Sequence, residues 1–228
     1  MPLKITERSF TAGASAGDVS AILMIPPRAT CLLVFAHGAG AGMRHRTMDA
    51  LAEDLAPRRI ATFRFNFPYM EKGNRVPSPQ PILLATVRAA VTAAAKAAPR
   101  LPLLAGGKSM GGRMTSIAAA MEPLAGVRGL VFFGFPLHAP GKHSAERGAH
   151  LAQTKLPMLF LQGARDNLAD LELMRPLCRD LGSAATLEIL DHADHSFHVL
   201  KRSGRTDAEV LDQVGRAVAT WAAAILDS

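Results

Sequence analysis

A serine bracketed by glycines is the first group in this chain able to do covalent chemistry. Gly107-Lys108-Ser109-Met110-Gly111 follows an apolar run ending near Ala105 and precedes the helical pattern Arg113-Met114-Thr115-Ser116-Ile117-Ala118-Ala119-Ala120. A serine on a tight strand-to-helix turn projects above the end of a sheet, and the turn is tight enough to demand glycine two residues before and two after. At a helix N-terminus, unpaired N–H groups and the helix dipole favour developing negative charge. The chemistry this predicts is nucleophilic attack on a carbonyl carbon. Gly-Lys-Ser also ends the phosphate-cradling loop G-x-x-x-x-G-K-[ST]. That pattern needs its first glycine at position 102, which is Pro102, and an apolar strand stands where its glycine-rich loop should be.

A serine nucleophile needs a histidine base, an acid to orient the base and donors for the oxyanion. The chain supplies them in the order Ser, Asp, His. Leu161-Gln162-Gly163-Ala164-Arg165-Asp166 places an aspartate three residues past a glycine that closes a strand, which makes Asp166 the favoured acid. Asp170 is the alternative, but it falls where the next helix should begin and reads as a cap or first-turn charge. The segment Leu190-Asp191-His192-Ala193-Asp194-His195-Ser196-Phe197-His198 offers three histidines for one task. His195 is taken as the base, because a loop between the last strand and the last helix can fold back over the serine; His192 and His198 are assigned to solvent or to supporting contacts. His37-Gly38-Ala39-Gly40 follows the run Phe35-Ala36, and its small residues let the backbone approach a substrate. An N–H from Ala39, or next in preference Gly40, is expected to join that of Met110 in an oxyanion hole. Lys108 and Arg113 read as exposed charges at a helix terminus, with service to an anionic substrate group as the alternative.

These groups need elements to hold them. Cys31 to Ala36, Ile60 to Phe63, Leu101 to Ala105, Val127 to Phe133 and Pro157 to Leu161 are short apolar runs typical of strands buried on both faces, and Thr186 to Leu190 adds a last one. Between them, Met48, Leu51 and Leu55 recur at helical spacing, as do Leu83, Val87, Val91 and Ala94. Thr206-x-x-Glu209 is a capping box opening a final helix whose stripe of Val210, Val214, Val218, Trp221 and Ile225 should pack on the sheet. Val19 to Leu23 belongs to a looser alternation that predicts one antiparallel hairpin at the sheet edge. Alternating strands and helices imply an α/β chain with a mostly parallel central sheet flanked by helices on both faces. No repeat or composition break divides it, so one domain over 1–228 is expected. Phe67 to Pro79 and Gly134 to Lys155 are irregular segments directly after strands, where open α/β sheets place their binding crevice.

Composition narrows the function classes. The 228 residues carry 26 Lys plus Arg against 19 Asp plus Glu, a net charge of +7, but the basic residues are scattered and aromatics are only 5%, so no nucleic-acid partner is expected. Nothing resembles a signal peptide or a membrane span, and two cysteines make neither a disulfide framework nor a metal motif. The expectation is a cytoplasmic protein with no membrane partner, no metal and no cofactor, while an edge strand or exposed helix leaves a homodimer open.

Taken together, the four segments resemble the α/β-hydrolase superfamily, and more closely its dienelactone-hydrolase-like branch of small enzymes with minimal or no lid. The resemblance runs from Cys31 to the C-terminus. Phe63-Arg64-Phe65-Asn66-Phe67-Pro68-Tyr69, Gly106-Gly107-Lys108-Ser109-Met110-Gly111-Gly112-Arg113 and Phe135-Pro136-Leu137-His138 look like a group of hydrolases within that branch assigned mostly by fold, and Ala193-Asp194-His195-Ser196-Phe197 is similar to the histidine loop of known hydrolases. Two departures stand out: dienelactone hydrolases have a cysteine where this chain has Ser109, and relatives often continue Asp-Pro-Phe where it reads Asp166-Asn167-Leu168. The resemblance implies a single-domain α/β-hydrolase fold and a serine esterase acting on a small ester-like substrate, with Tyr69, Met70, Leu137 and His138 as candidates to line its pocket. The alternative is a binding or scaffold protein that keeps this fold without turnover.

Overall fold

The apolar runs lie side by side in one eight-stranded sheet. The computed structural model describes residues 2–13 and 16–227; Met1, Ala14, Ser15 and Ser228, part of the domain expected over 1–228, lie outside the described residues. The strands are β1 (Lys4–Thr11), β2 (Asp18–Ile25), β3 (Cys31–Ala36), β4 (Ile60–Phe65), β5 (Leu103–Lys108), β6 (Val127–Phe133), β7 (Met158–Gly163) and β8 (Ala185–Leu190). Their spatial order is β1-β2-β4-β3-β5-β6-β7-β8. Strands β3 to β8 pair in parallel, whereas β2 runs antiparallel to both β1 and β4, so the expected hairpin forms the edge. Every residue of β3, β4, β5 and β7 is buried, as parallel strands covered on both faces must be.

Six α-helices cover the sheet among the described residues: α1 (Arg46–Leu55), α2 (Pro68–Glu71), α3 (Gln80–Ala97), α4 (Met110–Met121), α5 (Leu171–Asp180) and α6 (Asp207–Leu226). The two-residue alternation of the strands sorts their side chains between two layers. Leu32, Val34, Phe63, Leu130, Phe132 and Phe160 pack with Leu83 and Val87 of α3, Met114 of α4 and Met174 of α5. Leu33, Phe35, Leu104, Val131, Phe133 and Leu161 pack instead with Met48 and Leu51 of α1 and with Val210, Val214 and Trp221 of α6. Each such Leu or Phe contributes about 1.5–3 kcal/mol by leaving water, so both layers clamp the same strands from opposite sides. The predicted capping box opens α6: Thr206 accepts from the Glu209 N–H at 3.2 Å, and the Glu209 carboxylate accepts from the Thr206 N–H at 2.7 Å.

Two expectations need correction. Strand β5 starts at Leu103 and continues through Gly106 and Gly107 to Lys108, because these residues keep their ladder partners Val131, Phe132 and Phe133 on β6. Ser109 is therefore the first residue beyond the strand. The segments after β4 and β6 are not wholly irregular: the first contains α2, and the second a 3₁₀ stretch at Glu146–Gln153. Cys31 and Cys178 are free and buried, and burial pushes both thiols up to about 11. No helix among the described residues is long and apolar enough to cross a membrane.

Candidate active site

Six parallel strands end on one edge, and the loops leaving that edge bring Ser109, Asp166 and His195 together. Ser109 lies between β5 and α4 with φ 52° and ψ −120°, a backbone conformation that non-glycine residues rarely adopt. It persists because its neighbours fix it. The Ser109 N–H donates to the Phe133 carbonyl at 3.2 Å, and the Arg113 N–H donates to the Ser109 carbonyl at 3.1 Å as α4 begins. A methyl on Gly111 would come within 2.5 Å of the Ala36 carbonyl oxygen, and one on Gly106 would run into the Val131 carbonyl. The turn is thus gripped by backbone on both sides.

His195 reaches the serine from the loop after β8. Its Nε2 is 2.8 Å from Ser109 Oγ and its Nδ1 is 2.7 Å from Asp166 Oδ2. The loop is a tight turn organised by Asp194, whose Oδ1 accepts from the Ser196 and His198 N–H groups at 2.7 and 3.1 Å. Asp166 follows β7, and its carboxylate is fully buried. Two further donors hold it: Gln162 Nε2 at 2.5 Å to Oδ2 and the Leu168 N–H at 2.8 Å to Oδ1. With Oδ2 accepting, the imidazole proton sits on Nδ1 and leaves Nε2 free to accept from the serine hydroxyl. Sequence reasoning missed Gln162 and Asp194. The signal for Gln162 was a polar side chain at the end of an otherwise apolar strand.

The loop after β3 faces the serine across Gly38, where a methyl would lie 3.6 Å from Ser109 Cβ. His37 anchors this loop from below. Its Nε2 accepts from the Phe67 N–H at 3.1 Å, so its Nδ1 carries the proton and donates to the Gly38 carbonyl at 2.7 Å. Burial pushes this imidazole down to about 4, which keeps it neutral in that role. Among the described residues the N–H groups of Ala39 and Met110 have no hydrogen-bond partner. Gly40 is different: its N–H donates to the Tyr69 hydroxyl at 3.1 Å, so the expectation that it serves as an oxyanion donor is corrected.

The residues expected to line a pocket also move. Tyr69 is only 3% exposed, stacked on Phe67, and supports the Gly40 turn; burial raises its phenol. Leu137 is fully buried in the core. His138 is buried too, accepting from the Asp170 N–H at 3.0 Å through Nε2. Met70 is half-buried beside Gly42. All four are apolar or amphipathic residues near the strand ends, and burial claimed three of them because the loops fold back onto the sheet.

The other candidates take structural places. Asp170 is the residue before α5 but makes no side-chain cap; it accepts from His143 Nδ1 at 2.7 Å instead. His192 is exposed, and His198 pairs with Asp207 at 2.9 Å on the surface. Arg113 is half-buried, with a buried Nε that has no partner among the described residues and with Arg147 close by. Lys108 is buried rather than exposed, the opposite of the expectation, because the histidine loop closes over it. A second serine–histidine contact joins Ser116 and His150 at 2.7 Å. Ser116 is fully buried and spends its one proton on the Arg113 carbonyl at 2.9 Å, so His150 donates to it and cannot act as its base.

Comparison with known proteins agrees with this architecture. The sequence model of the alpha/beta hydrolase domain matches residues 29–223. The chain belongs to the alpha/beta hydrolase family. Among solved structures, this alpha/beta hydrolase is similar to a dienelactone hydrolase from Anabaena variabilis, with a TM-score of 0.75, 20% identity and 97% of each chain covered. It is also similar to an α/β serine hydrolase without a lid from Xanthomonas campestris, with a TM-score of 0.73, 19% identity, and 97% and 96% of the two chains covered. The esterase domain of a Rhodothermus marinus protein aligns with a TM-score of 0.70 at 18% identity, over 96% of this chain and 98% of that one. At such identities the likeness is one of fold.

Proposed function

We propose that the protein is a serine hydrolase that cleaves a small carboxylic ester or thioester through an acyl-enzyme on Ser109. The observation carrying this is the unbroken series of hydrogen bonds from Asp166 through His195 to Ser109, with the serine at the N-terminus of α4. Ser109 Oγ attacks the carbonyl carbon while His195 Nε2 takes its proton, and Asp166 holds the imidazole in the required tautomer and stabilises its charge. The oxyanion is received by the Ala39 and Met110 N–H groups, each such donor being worth about 10²–10³ in turnover. His195 then protonates the departing alcohol or thiol, and water, activated by the same imidazole, releases the acid. Family membership and the esterase named among its structural neighbours support the same class.

Hydrolysis of p-nitrophenyl acetate and labelling by a fluorophosphonate probe, compared between wild type and Ser109→Ala, test this reading. Activity and labelling that disappear in the variant are expected. A folded wild type that neither turns over nor labels would overturn it in favour of a non-catalytic scaffold.

A further inference from the structure

Lys108 ends β5 immediately before Ser109, and only 8% of it is exposed. Its Nζ donates to the backbone carbonyl of His195 at 2.6 Å and lies 5.3 Å from the centroid of the Phe197 ring. A methyl placed on Gly134 would be 3.0 Å from Nζ and 3.4 Å from both Nδ1 and Cε1 of His195, so the ammonium and the imidazole border one small space. The charged groups acting on the lysine are Asp166, after β7, and Asp194, in the loop after β8. The loops after β3 and β6 meet it through Gly38 and Gly134, which carry no charge.

A side chain wanted only for packing against Phe197 would be apolar. Burying an ammonium is costly, and here desolvation pushes the amine down to about 8 in spite of two nearby carboxylates. Asp166 does not require it either, since its oxygens already receive Gln162, Leu168 and His195. What the lysine does reach is the main chain of the residue that faces Ser109.

We propose that Lys108 is a positioning residue: its ammonium ties the backbone of His195 to the strand end that carries Ser109. The proposal rests on the serine-hydrolase reading above. One strand end then holds both the nucleophile and the tether of its base, so the serine–histidine distance is set by two adjacent residues.

Lys108→Met keeps the length of the stem and removes the donor and the charge. Turnover is expected to fall about 10–100-fold with KM within about twofold. Lys108→Arg, which keeps a cationic donor, should recover part of that turnover. A readout independent of turnover is the downfield proton NMR signal of the Nδ1–H that His195 donates to Asp166, compared at one pH in Ser109→Ala with and without Lys108→Met. A signal that moves or broadens beyond detection in Lys108→Met supports the proposal even if wild type proves unreactive to fluorophosphonate, which would sink the hydrolase reading alone. A signal and a turnover both unchanged in folded Lys108→Met overturn it. Should that variant fail to fold, Lys108→Leu takes its place and is read in the same way.

Discussion

Asp166→Asn separates orientation of the base from everything else in the site. The carboxylate accepts three N–H groups: His195 Nδ1 at 2.7 Å and Gln162 at 2.5 Å on Oδ2, and Leu168 at 2.8 Å on Oδ1. An amide has one acceptor oxygen and one donor NH₂, so at least one contact must set donor against donor. If the oxygen keeps Leu168, the NH₂ faces the imidazole, the ring proton moves to Nε2, and His195 donates to Ser109 when it should accept. A wrong tautomer of this kind costs about 10⁴ in kcat. If the oxygen keeps His195 and Gln162, the Leu168 N–H is left unpaired at about 1–3 kcal/mol, and the tautomer survives. The charge that stabilises the imidazolium is still lost, at about 1.5–3 kcal/mol for a charged hydrogen bond, or roughly 10–100-fold. The expected fall in kcat/KM is therefore between about 10-fold and about 10⁴-fold, at a cost in melting temperature of about 2–4 °C per kcal/mol. The assay is p-nitrophenyl acetate hydrolysis by wild type, Asp166→Asn and the control Asp170→Asn, which should stay within about twofold of wild type, with calorimetric melts of all three. A folded Asp166→Asn that retains more than about a tenth of wild-type kcat/KM would refute the tautomer argument.

Three further outcomes follow from the same contacts. Tyr69→Phe removes the acceptor for the Gly40 N–H and loosens the turn beside Ala39; kcat should fall about 3–10-fold, close to the value of one hydrogen bond, with a change in KM alone counting against it. His37 is held near 4 by burial, against about 6.5 in the unfolded chain, so the unfolded state binds more protons between these values. Stability should therefore drop as pH falls from about 6.5 to 4, by on the order of 3 kcal/mol from this group, and urea midpoints that stay level across that window would contradict it. The Lys108 amine titrates near 8 when folded and 10.5 when unfolded, so its burial penalty is full below pH 8 and is relieved as pH climbs towards 10.5. Wild type should gain stability over that interval relative to Lys108→Met, by up to roughly 3 kcal/mol, and parallel urea curves for the two would refute this.

Residues whose role depends on local sequence were legible, and residues whose role depends on loop closure were not. The parallel strands showed as apolar runs because both faces are covered, and the start of α6 showed because Thr206 and Glu209 satisfy each other within four residues. Ser109, Asp166 and His195 could be picked because each follows a strand that ends on the same sheet edge. Lys108 was misread because its burial comes from a loop 87 residues further on. Leu137, His138 and Tyr69 were placed in a pocket because they follow strands, yet what they face is set by packing between loops distant in sequence. Gly40 was offered as a donor for want of knowing that a phenol 29 residues away takes its N–H.

The backbone contacts around Gly106 and Gly111 say where this protein can be diversified and where it cannot. Those positions meet main-chain atoms of β6 and of the β3 loop, which no rotamer change can move aside. A library that randomises 106 to 112 would spend nearly all its members on unfolded chains. The segments at 72–79 and 139–145 leave the same sheet edge with much of their length exposed. Retailoring of substrate preference, by selection in nature or at the bench, has its room in those two stretches, while the serine turn passes through unchanged.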